Sequence, residues 1–599
     1  MIIPSLIHLY DRLASDPEGE IADEGFSRQK VSFVVVLRLD GTLVEVADNR
    51  LTVVDAKRKP KLVPATLVVC GQSKPSGSGF NPCFLWDNSA YMLGYKPEDP
   101  KPHRTRASFK AFRDAHLARR GTIDDAAYEA VCRFLEQWNP DDFAPTELQR
   151  EYLTAFGTFR IDGERRYVHE RAAVDAWYRS AMVKAAGVDD DDVSVPSLTT
   201  GIASRIARLH EPKIQGVRGA QSSGATLVSF NAAAFESYGK EQGNNAPVAV
   251  ADAFKYCTAL NKLLADAGRR TQLGDATVVW WSDAPVDEVT DRVLAALLGP
   301  PRTESAASSA RLGEAMLRLA RGELPHGLSG AEQGFHVLGL SPNAARLSVR
   351  LWWSGSIGGM IECVRQFQAD LQLDPVPPRE EHRPFSIWRV VSETARVFDG
   401  RPDLDTVSPT LAGEVARAVL SGGALPLALL QCIIRRIRSD GEVGHGRTAI
   451  VKACINRHRR LASGGGPFEE VPVALDVNGP EPYQLGRLFA VLEKTQGDAL
   501  PELDATIRDR YFGAASSAPA SVMPRLVRLA QHHLGKLERG RRVNRERLLQ
   551  EVVSHIQAFP THLNIEQQGL FQVGYYHQRA DLYTKKPDAA NETPSTEGS

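Results

Sequence analysis

Apolar positions repeat with a period of two in the first part of this chain and with helical spacing in the last. Residues 31–46 alternate about Asp40-Gly41, a tight-turn pair, which predicts a β-hairpin. Residues 62–70 read as another strand, and 71–82 as a loop too rich in Gly and Pro for regular structure. Helices are predicted over 105–120, 123–138 and 171–186, and a second hairpin over 159–169. A polar segment, 210–247, precedes a helix over 250–267 and a strand over 276–281. Paired strands over 335–340 and 345–353 lead into a helix over 357–372.

From about residue 383 strand signals mostly stop. Helical spacing recurs over 385–398, 409–420, 424–439, 447–461, 482–495, 501–511, 522–538, 543–558 and 563–583. The predicted fold class is α+β, a mixed α/β N-terminal region followed by an all-α C-terminal helical bundle. The expected domains are 1–380, a helical region 381–475, and a C-terminal bundle 476–585, with Gly479-Pro480 near the last boundary. Residues 586–599 are polar and without large apolar side chains, so a disordered tail is expected.

Composition changes this picture little. Hydrophobic residues at 43% suffice for sizeable cores, and 72 Lys+Arg against 73 Asp+Glu leave a net charge of -1. That total argues mildly against a polyanionic partner, but it hides segregation. Acids cluster at Asp189–Asp192 and bases elsewhere, so a basic groove on one face remains open. The 7 Cys are scattered without a C-x-x-C pair and read as reduced thiols of a cytoplasmic protein. The N-terminus reads as an amphipathic helix, and no stretch reaches the roughly 18 apolar residues of a membrane span. No membrane partner is expected.

The motifs of common enzyme chemistry are absent. The chain has no G-x-x-x-x-G-K-[ST], no H-E-x-x-H and no G-x-S-x-G. Cys454 and His458 share a helical face, but two ligands do not make a zinc site. The chain is therefore expected to be no enzyme and to need no cofactor and no metal. A metal-dependent nuclease is the alternative, since carboxylates are too many to exclude it by counting.

The polar loops suit contact with nucleic acid. Lys74, Ser76 and Asn81 form one candidate set; Arg218, Gln221, Ser222, Ser223, Asn231 and Lys240 form the other. By residue type, Lys74, Arg218 and Lys240 suit phosphates, while Gln221, Asn81 and Asn231 suit base edges or wedging between strands. As plain structure, these are loops whose Asn residues cap turns or helices. Three regions concentrate cations: Lys101–Arg120; Arg435–Arg460; and Arg525, Arg528, Lys536, Arg539, Arg541, Arg542, Arg545 and Arg547. They read either as solvated helix faces or as a groove for a phosphate backbone.

Six motifs in one order resemble a known family: Phe26–Phe33 (FSRQKVSF), Phe84–Ser89 (FLWDNS), Gly216–Gly224 (GVRGAQSSG), Ser229–Asn231 (SFN), Phe235–Gly243 (FESYGKEQG) and Leu338–Asn343 (LGLSPN). Together they resemble the large subunit of the type I-C CRISPR Cascade complex, the Csd-one family, from residue 1 to about 583. The resemblance implies a non-catalytic subunit that reads a PAM in double-stranded target DNA, helps unwind it and stabilises the R-loop. It implies as partners a guide RNA with the other Cascade subunits, and a helicase-nuclease that docks afterwards. The guide RNA would read the protospacer. It further implies a separately translated C-terminal product from about residue 475, where no Met lies nearby. A protein-only scaffold is the remaining alternative.

Overall fold

The structure is a computed structural model. It describes residues 1–16, 21–54, 60–71, 74, 79–186, 195–285, 296–298, 332–378, 380, 385–398, 401–403, 406–502 and 505–583. The expected acidic loop at 189–192, the Pro- and Ser-bearing stretch 300–311 and the tail 586–599 lie outside these residues. Two compact units emerge: Met1–Gly216 with Ala220–Lys262 and Asn343–Leu347, and Val217–Gly219 with Leu263–Pro342 and Ser348–Ser599. The change from strands to helices near residue 380 falls inside the second.

The first unit is built on a six-stranded sheet. Its centre is β1 (Phe26–Leu37), a strand apolar enough to be buried along most of its length. It pairs antiparallel with β2 (Leu43–Asp48) and with β4 (Pro60–Cys70), which carries β3 (Arg50–Val54) at the edge. The predicted turn between β1 and β2 forms: the Asp40 carboxylate accepts from Thr42 N–H at 2.8 Å, and Gly41 takes φ 91. On its other side β1 pairs in parallel with β6 (Phe156–Ile161), which carries β5 (Trp86–Asn88). The predicted hairpin over 159–169 is thereby corrected. Ile161 ends the strand, the return survives only as a bridge from Arg160 to Tyr167, and a 3₁₀ turn follows at Val168–Glu170. Burial on the larger sheet outweighs the local pairing. Helices α1 (Pro102–Leu117) and α2 (Ala126–Gln137) supply Phe112, Tyr128, Val131 and Phe134 to a core with Phe33, Val35 and Phe159. Gly157 admits the Phe33 ring, which would lie 2.1 Å from any Cβ there.

The second unit holds a four-stranded sheet ordered β10-β9-β8-β7, where β7 is Arg270–Leu273, β8 Ala276–Ser282, β9 Gly334–Asn343 and β10 Arg346–Ser356. Trp280, Phe335, Val337 and Leu351 share one core with the helices that follow. The predicted helix over 385–398 is also corrected. Only Ile387–Ser392 is helical, and Arg396–Phe398 pairs antiparallel with Arg401–Asp403. Thr394 donates to the Val391 carbonyl and Arg396 N–H to the Thr406 hydroxyl, which turns the chain out of the helix. The helix predicted over 501–511 is Ile507–Ala515, started by a Thr506–Asp509 capping box. Helices α3 (His445–Ala462), α4 (Glu481–Ala499), α5 (Pro519–Leu534), α6 (Arg539–Ser554) and α7 (Ile565–Tyr583) complete the unit. Core residues come from both sides of residue 475. Helices α4 and α7 touch backbone to backbone: a Cβ on Gly486 would meet Phe571 O at 1.9 Å, and one on Gly574 would meet Tyr483 O at 2.0 Å.

Candidate nucleic-acid interface

The first polar loop turns its cation inward. The Lys74 ammonium pairs with Asp87, donates to the Asn81 carbonyl at 2.7 Å, and sits 3.4 Å from the Tyr91 ring centroid. Burial pushes the Asp87 carboxyl above the usual carboxylate range, and Lys74 opposes that shift. Lys74 thus serves as counter-ion to Asp87, because a buried carboxylate needs a compensating charge. The Asn81 residue is exposed. Ser76 lies outside the described residues.

The second loop is long, irregular and pinned by side chains. Asn261 accepts from Gln215 N–H at 2.8 Å and donates to Lys213 O at 3.0 Å. Ile214 and Ala225 pair through two backbone bonds, which leaves Gln221, Ser222 and Ser223 on an exposed turn closed by Gly224 N–H to Gln221 O at 2.9 Å. Asn231 and Lys240 are exposed on the same unit. Arg218 is exposed too, but it belongs to the second unit, where its N–H donates to the Thr277 hydroxyl at 3.0 Å.

The three basic regions differ in how their charge is used. In the first, Arg106 pairs with Asp141, Arg113 with Asp114, and Arg120 with Glu129 and Glu136. In the second, Arg436 and Arg447 pair with Asp440, Arg457 and Arg460 with Asp370, and Arg459 with Glu566. Lys452 is buried, donating to Asp370 O at 3.1 Å. Most of that region is an internal network, which corrects its reading as an open cationic face. Only Arg435 and Arg438 stay exposed there without an ion pair among the described residues.

The third region keeps its charge on the surface. On α5, Met523, Leu526, Ala530 and Leu534 are buried, while Arg525, Arg528, His532 and Lys536 (just beyond its end) fall within about 80° of arc on the other side. Arg539, Arg541, Arg542 and Arg547 are exposed on α6, of which Val552 alone is buried. Arg542 pairs with Glu546 and Arg545 with Asp498. Arg525, Arg528, Lys536, Arg539, Arg541 and Arg547 have no ion pair among the described residues. The first turn of α6 holds no acid, so its arginines add to the positive end of the helix dipole.

A family model for the CRISPR-associated protein Cas_Csd1 matches residues 6–583. The chain belongs to the Csd1 family. It is a CRISPR-associated Cascade subunit. No curated protein matches it. Among the described residues of this Csd1 chain, no group of three His, Cys, Asp or Glu could hold a metal ion, and no helix is long and apolar enough to cross a membrane.

One exposed residue of the Csd1 chain escapes sequence reasoning. Tyr238 is 99% exposed, at the tip of a turn in which it and Gly239 take φ 54 and 69. Two-residue turns of that hand favour Asn, Asp or Gly at the first position, so a Tyr there carries no turn signal. Only Gly239 hints at it.

Proposed function

We propose that this Csd1 chain is the non-catalytic large subunit of an RNA-guided type I-C Cascade, binding PAM duplex DNA and stabilising the R-loop. The guide RNA with the other subunits would supply sequence recognition, and a helicase-nuclease would dock after unwinding. The observation that carries the reading is the unpaired cationic surface of α5 and α6, in a chain that otherwise ion-pairs most of its clustered arginines. That surface suits the backbone of a single strand. The exposed turn Gln221–Ser223 suits the duplex tag, and Asn81, Asn231 and Lys240 are exposed on the same unit.

The test is salt dependence. In the assembled complex, Arg525→Gln with Arg528→Gln and Lys536→Gln should flatten the log–log salt slope of DNA binding by about 0.7 per lost phosphate contact. Arg120→Gln, already neutralised by two acids, should leave the slope unchanged. Equal slopes for both variants would remove the reading. Gln221→Ala should narrow the affinity gap between PAM and PAM-mutant duplexes, with residual binding retained. Uniform weakening on both duplexes would assign Gln221 to the backbone instead.

A further inference from the structure

We propose that Tyr238 is an aromatic finger on a braced turn that stacks on an unpaired base of the bound DNA. The inference rests on the reading that this chain binds DNA, and deepens it at one residue. The ring is 99% exposed, far beyond what an ordinary surface tyrosine shows, so nothing in its own unit uses its apolar face. It is also held in a left-handed backbone conformation that a bulky side chain rarely adopts. Neither cost is offset by a contact of the ring within the described chain.

The turn beneath it is braced. Lys240 N–H donates to Ser237 O at 3.0 Å. The Asn245 side chain accepts from Ser237 N–H at 2.9 Å and donates to Lys240 O at 2.7 Å and Gln242 O at 3.0 Å. One amide therefore ties both arms of the turn and the segment after it. On the N-terminal side the Arg346 guanidinium lies 4.4 Å from the Phe235 ring centroid. A backbone braced this way loses little further freedom on binding, so the ring is carried on a preorganised mount.

The occupant follows from the surroundings. Lys240 is exposed one residue past Gly239, and those parts of the segment 196–247 that belong to the same unit carry Arg205, Arg208, Lys213 and Lys240 against Glu211, Glu236 and Glu241. A flat aromatic face beside a cation, in a CRISPR-associated chain, matches a base with its adjoining phosphate. A paired base inside a duplex hides both its faces, so the ring can reach only an unstacked one.

The experiment uses the full chain in its assembled complex, with two probes: a fully paired PAM duplex, and the same duplex carrying a short mismatched bubble beside the tag. Tyr238→Ala should bind the bubble about 10-fold or more weakly, as expected for one lost stacking contact, with paired-duplex affinity unchanged. Tyr238→Trp should bind the bubble at least as well as the parent. Melting temperatures at or above the parent value for Tyr238→Ala and Tyr238→Asn would show that any loss is not misfolding. Equal bubble affinity for Tyr238→Ala and the parent overturns the proposal. So does loss of another subunit from the complex with DNA affinity intact, which would make the ring a protein anchor. If the parent binds neither probe, the DNA-binding reading itself falls, and the proposal with it.

Discussion

Three buried histidines set how single residues answer to acid. Burial lowers the His116, His210 and His577 imidazoles to about 4 from the ordinary 6.5. His116 accepts from Leu85 N–H at 3.0 Å, while His210 and His577 bond the hydroxyls of Tyr256 and Tyr483. Above pH 6.5 neither the folded nor the unfolded chain protonates them. Between 6.5 and 4 the unfolded chain takes up protons that the folded one refuses, so stability falls as pH drops through that window. Each residue contributes up to about 3 kcal/mol of that loss. Denaturant unfolding at pH 7.5 and pH 5 should show it, with protons consumed on unfolding only at the lower pH. Lys74 gives a second expectation. Lys74→Met leaves the Asp87 carboxylate buried without its counter-ion and should cost about 3–5 kcal/mol, with much of it recovered by adding Asp87→Asn. A melting temperature unchanged by Lys74→Met would show that the pair is not structural.

At the scale of elements, what could be read in advance depended on whether the deciding partner was local. The β1–β2 hairpin was legible because Asp40-Gly41 carries its own turn chemistry. The 159–169 hairpin failed because the partner of β6 is β1, far away in sequence. The helix expected over 501–511 begins later because Thr506 and Asp509, its capping pair, start it at Ile507. Glycines in α4 and α7 carried no advance signal, yet they decide how those helices meet. Gly574→Ala sets a methyl 2.0 Å from Tyr483 O, so the two backbones must part. The expected cost is about 3 kcal/mol or more by thermal or denaturant unfolding. Gly540→Ala on α6, where nothing lies within 4 Å, should not destabilise.

For the whole chain, a net charge of -1 gave little guidance to where unpaired cations gather. The counts of cations in the three basic regions were alike, and only the fold separates them. Asp370 and Asp440 draw in the arginines of the second region, whereas α5 offers no acid to its own. The six family motifs were readable because they are contiguous. The neutralising acids were not, being brought together only by packing. The glycine contact between α4 and α7 has a consequence for motion in the second unit. Main chain pressed on main chain leaves no side chain to flex, so neither helix can roll or slip by a residue without collision. Their amides should accordingly trade hydrogen for deuterium last and in concert, while those of the sparsely anchored α6 trade early, so that the cationic surface is supple and its support is stiff.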